Sequence, residues 1–262
     1  MLGKVLKNDL VSIFKSILPG YLVVLLSAII IRLLVLVGVH FTNPFFSILA
    51  TILGFVFAML LVALFFGTFF MVIKRYIINL FSDEGYLTHT LPVKRSTLFL
   101  SKYLAGMITL ISSLIVILGC IAIAFITSTF MPEIREAIYQ ILMESNLSFV
   151  GFCTIFSTVI LLTLSTILLL IYFAINWGYS RNDKKILNAI GMGIGLYFLV
   201  QLINIIALIF MLTMMVGFNM TEPIPPYVVQ ILLGYVIGIN LLLSIVFYYL
   251  GNRSIVNNLN LA

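Results

Sequence analysis

The stretch FFSILATILGFVFAMLLVALFFGTFFMVI, residues 45–73, contains no charged side chain and decides the class of protein. A helix needs about 20 mostly apolar residues to cross the roughly 30 Å hydrocarbon core of a bilayer. This stretch exceeds that requirement. It is also continuously apolar, whereas the strands of a membrane barrel alternate apolar with polar residues. The stretch therefore predicts a transmembrane helix.

The composition extends this prediction to the whole chain. Of the 262 residues, 63% are hydrophobic and 8% are charged, and the mean hydropathy is +1.27. Soluble domains are about 45–50% apolar and about 25% charged. These values exclude a soluble enzyme, a disordered regulator and a fibrous protein. They indicate a single polytopic transmembrane domain over residues 1–262.

Six apolar runs are long enough to span a bilayer, so the predicted fold class is an all-α membrane protein with six transmembrane helices. Proline supports this division, because Pro44, Pro92 and Pro132 fall between runs and Pro19 opens the first one. The predicted spans are Leu18–Phe41, Phe45–Ile73, Leu98–Phe130, Phe149–Trp177, Ala189–Val216 and Tyr227–Leu250.

The basic residues predict the orientation of these spans. Inner loops of membrane proteins carry an excess of Lys and Arg. On one side of the predicted spans lie Lys4, Lys7, Lys15, Lys74, Arg75, Lys94, Arg95, Lys102, Arg181, Lys184, Lys185 and Arg253. The other side holds only Arg135, and Arg32 lies within the first span. We therefore expect both termini in the cytoplasm and the chain in the plasma membrane.

Two segments outside the spans have helical patterns of their own. Residues 1–17 place apolar side chains at helical spacing, with Lys4, Lys7, Asp9 and Lys15 among the polar ones, which predicts an amphipathic helix at the inner membrane surface. Residues 131–148 have a similar spacing and are expected to form an extracellular loop or helix.

The segment between the second and third spans, residues 74–97, is the most informative. Ser82 and the acidic residues after it favour the start of a short helix, and Pro92 ends it. An apolar face on a cytoplasmic helix favours docking of a partner, although a plain re-entry turn has the same composition. Both interpretations remain open from the residues alone.

The same segment resembles the type-2 permeases of ATP-binding-cassette exporters. The resemblance is carried by Ser82-Asp83-Glu84-Gly85-Tyr86-Leu87, Thr90-Leu91-Pro92, Lys94-Arg95 and Ser101-Lys102-Tyr103-Leu104. The six-span layout agrees with the family. One departure is the short segment Gly217–Pro226, where family members usually place a larger re-entrant element between the fifth and sixth spans.

The resemblance implies a mechanism and a set of partners. A separate nucleotide-binding ATPase subunit would dock on a coupling helix in this loop, and two permeases would meet two ATPases. Many such permeases come from Gram-positive bacteria. Carried over by position, the coupling contacts would be Asp83, Glu84, Gly85, Tyr86, Leu87, Thr88, Leu91 and Pro92.

The sequence contains no nucleotide-binding, metal-binding or catalytic motif. No GxxxxGK[ST] sequence occurs, so the chain is not expected to be an enzyme or to bind a cofactor, and ATP and Mg would belong to the partner subunit. No metal-ligand or catalytic spacing is found, and the basic residues flank apolar runs, which does not favour nucleic-acid binding.

Polar residues inside the spans are candidates for a translocation path. These are Arg32, Gln201, Asn204 and Asn240. Each has a structural alternative, since Arg32 can pair within the protein or snorkel to headgroups and the amides can join helices.

Three functions therefore remain open. The first is an ATP-driven exporter of an amphipathic substrate, such as a peptide or antimicrobial, working by alternating access. The second is an ATP-independent secondary transporter or channel, which the absence of mid-span acidic residues disfavours. The third is a non-transporting immunity or sensor protein.

Overall fold

The structure, a computed structural model, describes residues 2–40, 44–82, 94–125, 131–181, 183–215 and 226–257. Within these ranges the chain forms seven helices and no strand. They are α1 (Leu2–His40), α2 (Pro44–Phe81), α3 (Arg95–Phe125), α4 (Met131–Ser145), α5 (Phe149–Tyr179), α6 (Lys185–Met215) and α7 (Pro226–Asn257). All except α4 are long and apolar enough to cross a membrane, so the predicted all-α class with six candidate spans is confirmed.

Local sequence accounts for where several helices begin. Pro44 and Pro226 are the first residues of α2 and α7, a position where the missing N–H of proline costs no helix hydrogen bond. Ser148 precedes α5, and its hydroxyl accepts a 3.1 Å hydrogen bond from the Gly151 N–H. This contact satisfies one of the free donors at the start of the helix.

Helix α1 joins two segments that the sequence analysis treats separately. Residues 2–17 and the described part of the first span form one continuous helix from Leu2 to His40, with Pro19 inside it. Proline at this position removes one backbone hydrogen bond, a loss that long apolar helices tolerate. At 1.5 Å per residue the helix is about 58 Å long, which is nearly twice the thickness of the hydrocarbon core.

The first of two compact units comprises Met1–Leu80 and Leu100–Ile138. Its apolar core contains Val24 and Ala28 of α1, Phe57 of α2, and Cys120 and Ala124 of α3. The small side chains of Ala28 and Ala124, both fully buried, allow the helices to approach closely. Helices α1, α2 and α3 therefore pack on one another through this apolar core.

The second unit comprises Phe81–Phe99 and Tyr139–Ala262. Helix α5 is its centre and packs against both α6 and α7. Gly178 makes one of these approaches possible, because a Cβ atom there would collide with the backbone of Ala189 at the start of α6. The burial of α5 residues such as Leu168 and Tyr172 follows from this central position.

Many large apolar side chains in the candidate spans point away from the protein. Phe55 and Phe70 of α2 are 67% and 66% exposed, and Phe198 of α6 is 66% exposed. Water would disfavour so much exposed apolar surface, whereas lipid tails accept it. The exposed surface is consistent with a multi-pass membrane protein.

Candidate functional site

The loop between α2 and α3 is the candidate site from the sequence, and its predicted coupling contacts lie outside the described residues. These contacts are Asp83, Glu84, Gly85, Tyr86, Leu87, Thr88, Leu91 and Pro92. The described structure contains the two helix ends that flank the loop. Helix α2 continues to Phe81 and α3 begins at Arg95, so both helices extend into the segment 74–97.

A buried polar cluster in the first unit joins α1 to α2, two residues before α2 ends, and to α3, seven residues after α3 begins. We call it the Asp9 cluster, and it consists of Asp9 of α1, Asn79 of α2 and Lys102 of α3. The Lys102 ammonium donates to Asp9 Oδ1 across 2.5 Å, and the Asn79 amide donates to the same oxygen across 2.8 Å. Asp9, Asn79 and Lys102 are 2%, 4% and 5% exposed, so the cluster is shielded from solvent. One carboxylate oxygen therefore joins three helices.

The position of Asp9 differs from the sequence expectation. The sequence analysis groups Asp9 with the exposed lysines, but Asp9 lies on the buried face of α1 together with Ile13 and Ile17. The three residues recur at a spacing of four, which places them on one side of a helix. The cation that offsets the Asp9 charge comes from α3, far along the chain, so local sequence gave no indication of it.

The charges of the Asp9 cluster depend on one another. Burying a carboxylate or an ammonium alone is costly, and each ion here offsets part of the desolvation cost of the other. Asp9 Oδ2 and Asn79 Oδ1 are buried and lack a hydrogen-bond partner among the described residues. Both donors contact the same oxygen of Asp9, so a displacement of Asp9 would break both hydrogen bonds together.

The first turn of α3 has separate contacts in the second unit. The Arg95 guanidinium donates to the carbonyl oxygen of Val256, near the end of α7, across 3.1 Å. The Phe99 ring lies 5.4 Å from the Tyr248 ring, centroid to centroid. A Cβ at Gly251 would come within 2.8 Å of the Phe99 ring, so a larger residue there would force this ring to shift. The residues that follow the candidate loop are thus tied to α7.

The candidate path residues belong to different parts of the protein. Arg32 is a partly buried residue of the first unit, whereas Gln201 and Asn204 of α6 and Asn240 of α7 are partly buried residues of the second. The Asn240 amide donates to the carbonyl of Val236 in its own helix across 2.9 Å. This contact lies within one helix, so it supports neither the path-lining nor the helix-joining interpretation of the Asn240 amide.

A second polar contact inside the spans was not singled out from the sequence. The Thr166 hydroxyl of α5 lies 3.0 Å from the Asn240 carbonyl oxygen and 2.9 Å from Ser244 Oγ, both in α7. Thr166 is only 3% exposed. About 15 Å further along α5, the Asn176 amide donates to the Gly251 carbonyl across 3.2 Å. These bonds join α5 to α7 along their length, and a Ser-Thr pair within an aliphatic run was the available signal.

The polar contacts described above join helices to one another. Groups of three or more His, Cys, Asp or Glu side chains able to hold a metal are absent from the described part of the chain. Comparison with known proteins adds no assignment, since no family model, curated protein or solved structure matches the chain. The arrangement that remains is a loop whose two flanking helices are held by buried polar contacts.

Proposed function

We propose that the chain is the membrane permease subunit of an ATP-driven exporter in a bacterial plasma membrane. The observation that carries the proposal is the Asp9 cluster, which joins α1 to the last turn of α2 and to α3 about two turns after its start, close to either side of the loop. A loop that receives force from a partner needs firmly held flanks, because a frayed helix end would absorb the movement. The resemblance of Ser82–Leu104 to the coupling segment of type-2 permeases supports the same function.

The proposed mechanism is alternating access powered by a separate ATPase. Two permease copies assemble with two ATPase subunits, which bind ATP and Mg and close on one another. The segment Asp83–Pro92 docks in the ATPase and moves with it. Because the Asp9 cluster links α1, α2 and α3, the three helices move together and open a cavity for an amphipathic substrate, such as a peptide, toward the outside.

A co-purification experiment tests the proposal. The tagged full chain is isolated in mild detergent from its source membranes, and accompanying proteins are identified by mass spectrometry. We expect a stoichiometric soluble subunit with a phosphate-binding loop, which Glu84→Ala and Tyr86→Ala would remove. A matched control is Glu136→Ala, an exposed change in α4 on the side predicted to face outward. A chain that purifies alone or only with copies of itself would contradict the exporter and favour ATP-independent transport or sensing.

Cysteine labelling tests the orientation that this mechanism requires. The chain has two free cysteines, Cys120 and Cys153, which are first replaced by serine. New cysteines are then introduced at Asp183 and Glu136, two exposed positions. An impermeant maleimide should label position 136 in intact cells and position 183 only after lysis. The reverse pattern would place the loop 82–94 outside the cell, where no ATPase can dock.

A further inference from the structure

A cleft runs between α1 and α2 within the first unit, and its two parts differ in chemistry. The apolar part has a volume of about 300 Å³. Its walls include three small residues, Gly20 of α1 and Ala63 and Gly67 of α2, and their small size leaves room for the space. Ala63 and Gly67 are exposed, so the cleft opens to the surroundings of the helices.

The polar part continues from the apolar part, because Ser16 and Met71 line both. It has a volume of about 200 Å³, and Lys74, Arg75 and Ser12 also line it. No acidic side chain lines either part among the described residues. The cleft therefore combines an apolar floor with a positively charged mouth.

The dimensions of the cleft match one leaflet of a bilayer. Its lining on α1 extends from Ser12 to Val24, which is about 18 Å at 1.5 Å per residue. One leaflet measures roughly 20–22 Å from the midplane through the headgroups. The cationic mouth lies where the apolar run of α2 ends at Lys74, which is the level expected for headgroups.

We propose that this cleft binds one anionic phospholipid. The phosphate lies against Lys74 and Arg75 at the mouth, and one acyl chain lies along Gly20, Ala63 and Gly67. A neutral or zwitterionic lipid would gain the same apolar contacts but less from the two cations. This inference rests on the first unit alone and is independent of the proposed exporter function.

A comparison of two lipids tests the positively charged mouth of the cleft. The full chain is stripped of lipid in detergent, and binding of phosphatidylglycerol and phosphatidylcholine with identical acyl chains is measured by native mass spectrometry. We expect phosphatidylglycerol to bind more tightly by about fivefold for each cation engaged. Lys74→Gln should reduce that preference by about fivefold, whereas Lys4→Gln, an exposed α1 lysine outside the cleft, should leave it unchanged. Equal binding of the two lipids would overturn the proposal.

A filling substitution tests the apolar part. No atom within the unit lies within 4 Å of a Cβ built at Gly67, so Gly67→Leu can occupy the cleft without a clash at that atom. We expect at least about tenfold weaker binding of phosphatidylglycerol. Gly54→Leu is the matched control, since Gly54 is an α2 glycine with equal space but outside the cleft. Unchanged binding by Gly67→Leu would contradict the acyl-chain position, as would free glycerol phosphate that binds as tightly as phosphatidylglycerol. If Gly67→Leu does not fold, the proposal is tested by the lipid preference of the unmodified chain and of Lys74→Gln.

Discussion

Replacing Lys102 by methionine leaves the Asp9 carboxylate buried without its cation, and this change tests the Asp9 cluster most sharply. The ammonium lies 2.5 Å from Asp9 Oδ1, and both residues are at most 5% exposed. Breaking a buried ion pair by removing one partner costs about 3–5 kcal/mol of unfolding free energy. At about 2–4 °C per kcal/mol, Lys102→Met should lower Tm by roughly 6–20 °C.

The double variant separates charge pairing from simple loss of packing. Asp9→Asn with Lys102→Met removes both charges and keeps an oxygen for the Asn79 amide. Because no uncompensated ion remains, we expect it to recover at least about half of the Tm loss. Thermal unfolding of the detergent-purified chain is followed by circular dichroism, with Lys94→Met as the exposed control. The role of the cluster would be refuted by a Lys102→Met chain that melts with the control, or by a double variant no more stable than either single one.

Two further contacts yield predictions of their own, both measured by the same unfolding assay. Thr166→Val removes the hydroxyl that joins α5 to α7 and should cost about 0.6 kcal/mol, the average for an interhelical hydrogen bond in membranes. An unchanged Tm would contradict this role. Gly178→Ala should cost about 1–3 kcal/mol because its Cβ would meet the Ala189 backbone. Gly195→Ala, which meets nothing within 4 Å in its unit, should cost less than about 0.5 kcal/mol, and equal losses at the two glycines would refute the packing argument.

The number and position of the long helices could be predicted from sequence, because crossing a bilayer imposes a length and a composition. The run at residues 45–73 is helical throughout, within α2. The boundary at Pro19 could not be predicted, since proline both opens helices and occurs inside long apolar ones. The helical pattern of residues 1–17 indicated a helix but gave no information about whether it continues into the first span.

The candidate site was accessible to sequence reasoning only in part. The candidate loop could be identified from a continuous sequence motif. The Asp9 cluster could not, because its residues are distant from one another in the chain. Asp9 and Lys102 are 93 positions apart, and nothing in the residues near either one shows that they pair. The spacing of Asp9 with Ile13 and Ile17 was the one local sign that this acid faces the core. Polar residues inside the spans are easy to find in the sequence, but their role is not, because path-lining and helix-joining amides have the same sequence pattern.

Photo-crosslinking from position 86 tests the central claim most directly. Tyr86 is replaced by the photoreactive amino acid benzoylphenylalanine in the full chain, expressed in its source membranes, and the covalent adduct is identified after illumination. The same replacement at Tyr139, an exposed residue of α4, serves as the control. We predict an adduct with an ATPase subunit from position 86 alone. An adduct only with lipid, or with another copy of this chain, would contradict the proposal that this loop docks an ATPase.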